Sequence, residues 1–277
     1  MPVTPIVIDS LDDPRLEPYR DVRDKDLRGR DRLFMAESEL VIRRLLRTPQ
    51  RLHSLLLSPG KFERLRDDIE ASGLDAPVYL ADVDQISEIA GFHIHRGALA
   101  AGYRPKPQEI TLDAAIGHLR DTTPCTLLIA EGLTNVDNMG GLFRNAAAFG
   151  VDGVVLDPTC CDPLYRKSIR VSAGHTLSIP WAVSRDWPAD LRQLREQWSM
   201  SVIGAESVDI AQPLWDVPIG KRVALLFGSE ADGLSQQAID ACDHLAEIPM
   251  ATGVPSLNVA TSAAVFLYER QRRNAVT

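Results

Sequence analysis

The sequence contains no Gly-x-Gly, no Gly-x-x-x-x-Gly-Lys and no Cys-x-x-Cys in 277 residues. The first absence removes the dinucleotide-binding fingerprint and the glycine-rich loop of Rossmann-type cofactor enzymes. The second removes the phosphate loop of NTPases, and the third removes zinc knuckles and thioredoxin-type redox pairs. Cysteine is scarce at four residues, too few for a disulfide scaffold. No apolar run approaches the roughly 18–20 residues that cross a bilayer. The start, MPVTPIVID, lacks a basic segment followed by a long apolar one, so no secretory signal is visible. A reduced cytoplasmic protein with no membrane role is the simplest expectation. Positive charge is also short: 30 Lys+Arg against 38 Asp+Glu give a net charge of −8 and a pI near 5.3. A nucleic-acid binder held by bulk charge would usually be basic.

What is present is ordinary globular material, 45% apolar and 25% charged. At roughly 150 residues per domain, the length suggests about two domains. Residues 1–30 are charge-dense and read as a lead-in segment. Residues 31–104 read as a small α/β unit. Phe34–Leu46 has helical spacing, with Leu40, Ile42, Leu45 and Leu46 able to face a core. If that helix continues, Arg43, Arg47 and Arg51 form a basic stripe at i, i+4, i+8. Short strands at Ser54–Ser58 and Val78–Leu80 flank a helix at Phe62–Ala71. A helix at Asp82–Ile89 and a strand at Ala98–Tyr103 follow. Residues 105–124 open with Pro105-Lys106-Pro107 and read as a linker.

From Cys125 onward, strand and helix alternate to residue 277. Strands are expected at Thr126–Ala130, Gly153–Leu156, Ser178–Ala182, Val202–Ala205, Val223–Phe227 and Leu245–Ile248. Helices are expected at Met139–Phe149, Tyr165–Val171, Ala189–Trp198, Ser235–Ala241 and Asn258–Arg273. That alternation implies a parallel sheet covered on both faces, with ligands beyond the carboxyl ends of the strands.

Three segments occupy those ends. In Asn135–Gly150, Asn138 is placed to cap a helix. Arg144 in the same stretch interrupts an apolar run; it is either a snorkelling side chain or a guanidinium for phosphate or oxyanion. In Leu225–Ser235, a buried strand ends at Gly228, the carboxylate of Glu230 follows, and Ser235 caps the next helix. In Ile248–Ala264, Pro249, Gly253 and Pro255 fix a tight loop before a helix of small residues led by Ser256 and Asn258. Each segment alone reads equally well as plain structure. His93-x-His95 lacks a third ligand, so no metal is expected. Trp181, Trp187, Trp198 and Trp215 read as core or interface residues.

Taken in order and spacing, Asn138-x-Gly140-x-x-x-Arg144, Gly228-x-Glu230-x-x-Gly233 and Ile248-Pro249-Met250 with Ser256-Leu257-Asn258-Val259 resemble the SpoU (TrmH-like) family of the SPOUT methyltransferase superfamily. Val171-Ser172-Ala173-Gly174 resembles that family's intermediate Ser-Ala-Gly segment. Phe34-x-Ala36-Glu37 and the strand ending at Tyr103 resemble the small substrate-binding domain preceding some members. The resemblance implies a C-terminal α/β parallel-sheet domain, 125–277, tied in a deep trefoil knot, and a homodimer.

It also implies S-adenosyl-L-methionine as cofactor, bent in the knot and held largely by backbone near Gly228, Ile248, Leu257, Ala205 and Met250. The implied reaction is methylation of a ribose 2′-hydroxyl in RNA, with rRNA ahead of tRNA or of a resistance-type rRNA target. The different-class alternative is a catalytically silent RNA-binding or assembly factor. By resemblance Arg144 is the catalytic group, supported by Asn138, Glu230, Ser256 and Asn258. It acts either as a general base, which demands a strongly perturbed guanidinium, or by orienting phosphate and stabilising alkoxide. Arg43, Arg47 and Arg51 read either as RNA contacts or as a solvated helix face, and Arg270, Arg272 and Arg273 either as reaching RNA across a dimer or as solvated surface.

Overall fold

The computed structural model describes residues 3–20, 32–91, 97–229, 231–254 and 256–274. His93, His95, Glu230 and Pro255 lie outside the described residues. The α-helices are α1 (Glu39–Leu45), α2 (Pro59–Ser72), α3 (Val83–Ala90), α4 (Val136–Ala148), α5 (Arg166–Val171), α6 (Trp187–Glu196), α7 (Gln236–Ala241) and α8 (Val259–Asn274). The strands are β1 (Ile6–Val7), β2 (Leu33–Glu37), β3 (Leu52–Leu57), β4 (Val78–Leu80), β5 (Ala98–Tyr103), β6 (Cys125–Ala130), β7 (Gly153–Leu156), β8 (Trp181–Val183), β9 (Ser201–Ala205), β10 (Gln212–Pro213), β11 (Arg222–Phe227) and β12 (His244–Glu247). They fall into two compact units, Met1–Pro105 with Pro163–Ser178, and Lys106–Asp162 with Ile179–Thr277.

The first unit is built on a mixed sheet in the order β1-β4-β3-β5-β2. Its core gathers Leu16, Tyr19, Leu33, Met35, Leu56, Ile86 and Leu99. Local signals set its helices. Asp82 and Gln85 close a capping box at the start of α3, and Gly91 ends it in the left-handed conformation.

The helix expected over Phe34–Leu46 is corrected by the structure. Leu33–Glu37 is an edge strand antiparallel to β5, and only Glu39–Leu45 is helical. Leu33, Phe34, Met35 and Ala36 are all buried, and such a short continuous apolar run fits a buried strand as well as a helix. Leu40, expected in a core, is exposed. Because α1 stops at Leu45 and Pro49 opens a separate 3-10 turn, Arg43, Arg47 and Arg51 share no helix face.

The second unit carries a seven-stranded, all-parallel sheet in the order β10-β12-β9-β11-β6-β7-β8. Its central strands β6 and β11 read CTLLIA and RVALLF, near-continuous apolar runs suited to burial on both faces. Alternate residues divide between the layers. Leu127, Ile129, Ala224 and Leu226 pack with Leu191 and Leu194 of α6 and Ala238 and Ala241 of α7. Phe227 instead meets Phe266 of α8 edge-on at 5.4 Å. Helix α8 lies against α4, where a Cβ on Gly141 would sit 2.8 Å from that of Ala260. The missing side chain lets the two backbones approach, and Asn145 Nδ2 donates to the Ala260 carbonyl at 2.5 Å. Trp198 is buried in this core, whereas Trp215 is exposed. No helix among the described residues is long and apolar enough to cross a membrane.

Candidate active site

Parallel strands end together, and beyond the carboxyl ends of β9, β11 and β12 lies a cavity of about 680 Å³. Ala205, Glu206 and Ser207 enter its wall from β9, Phe227, Gly228 and Ser229 from β11, and Glu247, Ile248 and Met250 from β12. Asn135 and Asn138 come from the start of α4, and Ser256, Leu257 and Asn258 from the lead into α8. The structure therefore brings Asn138, Ala205, Gly228, Ile248, Met250, Ser256, Leu257 and Asn258 to one cavity.

Gly228 is where the wall turns. The loop after it folds back, with Ser229 N donating to Gly233 O at 3.2 Å and Gly233 N to Ser229 O at 3.1 Å. A Cβ on Gly228 would lie 2.3–2.5 Å from the backbone of Gly233 and Leu234, so only glycine fits. The two asparagines across the cavity are joined: Asn258 Nδ2 donates to Asn138 Oδ1 at 2.8 Å. Asn258 Oδ1 accepts from Ala260 N at 3.0 Å and Thr261 N at 3.3 Å, capping α8. Asn138 itself is inside the first turn of α4 rather than at its cap. Asn135 takes that place, accepting from Asp137 N at 2.8 Å and Asn138 N at 3.4 Å. The side chain of Asn138 is thus freed for its pairing with Asn258.

Two carboxylates that the motifs do not single out hold the far side of the loop. Glu206 Oε2 accepts from Leu234 N at 2.8 Å. Glu131, buried just past β6, accepts from Ser235 N at 2.8 Å, Ser235 Oγ at 2.6 Å and Trp187 Nε1 at 2.6 Å. The successive backbone amides of Leu234 and Ser235 are therefore held by two different carboxylates through charge-assisted hydrogen bonds. Both carboxylates sit immediately after a strand. Ser235 also caps α7 as expected, accepting from Ala238 N at 3.2 Å. At the β12 edge, Ser207 Oγ donates to Glu247 Oε2 at 3.0 Å, so one end of the cavity is rich in carboxylate oxygen.

Arg144 stands on α4 but not in the cavity wall. It is exposed and has no hydrogen bond or ion pair among the described residues. The other arginines expected to contact RNA are mostly engaged. Arg43 pairs with Glu39 at 3.1 Å and with Asp68, and Arg51 Nη1 donates to Leu177 O at 3.4 Å. Arg47 is exposed. At the C-terminus, Arg270 is buried, Arg272 is held by Glu269, and Arg273 donates to Glu269, Val217 O and Leu214 O. Among the described residues no three His, Cys, Asp or Glu side chains gather as a metal would need.

Comparison with known proteins gives the same answer at several ranges. The model of the SpoU rRNA Methylase family matches residues 126–268. A Mycobacterium tuberculosis protein named only as an uncharacterized tRNA/rRNA methyltransferase is 38% identical over 270 residues, 94% of this chain and 90% of its own. The 23S rRNA (guanosine-2′-O-)-methyltransferase RlmB of Escherichia coli is 28% identical over 241 residues, 83% of this chain and 94% of its own. Among solved structures, an AdoMet-bound rRNA methyltransferase from Sinorhizobium meliloti superposes with a TM-score of 0.76 at 24% identity, covering 96% of this chain and 97% of that one. The SpoU methyltransferase AviRb from Streptomyces viridochromogenes gives 0.75 at 22%, covering 95% and 96%. These two likenesses speak for the fold. With the family model spanning more than half the chain and the mycobacterial relative matching nearly end to end, the chain belongs to the SpoU rRNA Methylase family.

Proposed function

We propose that the chain transfers a methyl group from S-adenosyl-L-methionine to a ribose 2′-hydroxyl of ribosomal RNA, acting in the cytoplasm as a homodimer. The observation that carries this reading is the joining of three sequence-distant segments at one cavity, closed by the Asn138–Asn258 hydrogen bond. The relatives named as 23S rRNA 2′-O-methyltransferases over 81–84% of this chain support rRNA as substrate. The trefoil knot belongs to the same proposal, supported by β11 lying between β9 and β6 and by α8 returning onto α4.

The cavity fits the cofactor. Its volume is within the range of roughly 300–1,000 Å³ that small-molecule sites occupy. Gly228 brings main chain to its wall, Phe227, Ile248, Met250 and Leu257 offer apolar surface for a base, and Glu206 and Glu247 offer acceptors for hydroxyl or cationic groups. The cofactor supplies a methyl group already activated on a sulfonium. What remains for the protein is to place the 2′-oxygen in line with it and to favour loss of the hydroxyl proton. Asn138, fixed by Asn258, and Ser256 are positioned to hold the ribose. Arg144 offers an unengaged planar guanidinium to the flanking phosphate and to developing negative charge on the 2′-oxygen.

The test is direct. Calorimetry should show S-adenosylmethionine binding by the purified protein. Deleting its gene should remove a 2′-O-methyl mark from rRNA that wild type restores and Arg144→Ala does not. Arg144→Ala should cut turnover by about 10²–10³-fold or more while changing cofactor affinity little. Normal turnover by that variant would remove Arg144 from the reaction.

A further inference from the structure

The Val171-Ser172-Ala173-Gly174 segment does not line the cavity. It lies in Pro163–Ser178, which packs within the first unit although its sequence falls between β7 and β8. This segment carries Arg166, Lys167 and Arg170 and no carboxylate. Arg170 and Arg166 reach Glu37 of β2 at 2.7 and 3.8 Å. After α5 the chain takes two consecutive left-handed residues, Ala173 at φ +54° and Gly174 at φ +82°. A left-handed alanine is uncommon enough to ask what it does. Buried Ser172 fastens the turn, donating to Ile169 O at 2.9 Å, and Gly174 N donates to the same carbonyl at 2.7 Å.

The turn seats an arginine. A Cβ on Gly174 would lie 3.0 Å from Cδ of Arg44 and 3.3 Å from Val41 of α1, so the stem of Arg44 lies on bare glycine backbone. Arg44 Nε is buried and has no hydrogen-bond partner among the described residues. Burial and the neighbouring charge of Arg47 both lower the pKa of Arg44, so the two cations press on each other. Among the described residues, the carboxylates paired in and around α1 are engaged with other cations. Glu37 serves Arg166 and Arg170, Glu39 serves Arg43 and Lys61, and Asp68 serves Arg43. Neither Arg44 nor Arg47 has an ion pair among the described residues. Two neighbouring guanidiniums, one with its Nε buried and unpaired, are a cost to folding that an external anion would relieve.

We propose that Arg44, seated on the Ser172–Gly174 turn, and its exposed neighbour Arg47 form a phosphate-binding surface for the RNA substrate, so that a segment from the methylase half of the sequence helps build an RNA contact in the first unit. It rests on RNA being the substrate, and it replaces the arginine stripe with a pair the fold leaves unneutralised. In a chain of net charge −8, such a local pair supplies the attraction that the whole molecule lacks.

The test is the salt dependence of binding to deproteinised bacterial large-subunit rRNA between about 50 and 200 mM KCl. Arg47→Gln should make log K against log salt shallower by about one, and Arg44→Gln with Arg47→Gln by about two. The double variant should also lose about tenfold in affinity at the lowest salt. Arg66→Gln, an exposed arginine paired with Glu63 on α2, should change neither. If burial makes Arg44→Gln unstable, Arg47→Gln alone decides, since Arg47 is exposed. An unchanged slope in these variants, or RNA binding by wild type that ignores salt, overturns the proposal. Absence of S-adenosylmethionine binding would overturn the proposed reaction instead and leave this surface standing.

Discussion

Glu131 makes three short hydrogen bonds to groups 56 and 104 residues away in sequence. Its carboxylate is buried, so its partners substitute for water, and removing it leaves the part-buried Trp187 indole N–H without its acceptor and the exposed Ser235 donors to water. Glu131→Ala should cost about 1–3 kcal/mol of stability and weaken S-adenosylmethionine binding, because Ser235 anchors the loop that starts at Gly228. Glu131→Gln, which keeps an acceptor for Ser235 N, should recover part of both. Thermal melts and calorimetry on the two variants check this; cofactor affinity equal to wild type in a folded Glu131→Ala protein would make the carboxylate purely structural. At this scale the sequence was half legible. Gly228, Asn138 and Asn258 stand out because their spacing is distinctive. Glu131 and Glu206 do not, because a carboxylate after a strand is common and its value depends on which amide the fold delivers to it.

Elements show where local signals suffice and where they mislead. Gly153–Leu156 and Ala98–Tyr103 are strands with the residue bounds their patterns suggest. Leu33–Glu37 was unreadable as a strand because its partner β5 is over 60 residues away, and nothing within the run separates it from a buried helix. The last helix carries a pH prediction. On α8, the hydrogen bonds from Arg272 and then Arg273 hold the Glu269 carboxyl at about 2, outweighing its partial burial. The unfolded value is about 4.3. A carboxyl lowered on folding stabilises the fold above the unfolded pKa, and that stabilisation disappears as pH falls from about 4 towards 2. Glu269→Gln should therefore show a flatter loss of stability across that acid window, read as urea midpoints at stepwise lower pH. Parallel acid profiles for the variant and wild type would show that the pairing contributes nothing.

At the scale of the whole molecule, net charge was the poorest guide to function and the order of motifs the best. An acidic chain can still grip RNA where the fold leaves arginines unneutralised, and bulk composition averages such places away. The two-unit organisation has its own test. A fragment of residues 106–277 retains Pro163–Ser178 but lacks the rest of the unit in which that segment is packed. Ile169 and Leu177, buried in the full chain, would lose that cover. The fragment should elute as aggregates in size exclusion, and replacing both residues with serine should restore a discrete species. A fragment that is soluble and discrete without those changes would show that the segment does not depend on the first unit.

The same interleaving bears on how such a chain can be rebuilt. Proteins strung from separable parts can be cut, swapped or fused at one point. Here the first unit is assembled from two stretches separated by 57 residues of the second. Grafting the front of this chain onto another methylase would transplant an incomplete unit unless its Pro163–Ser178 travels too, so exchange of parts between relatives has to move two pieces of gene together.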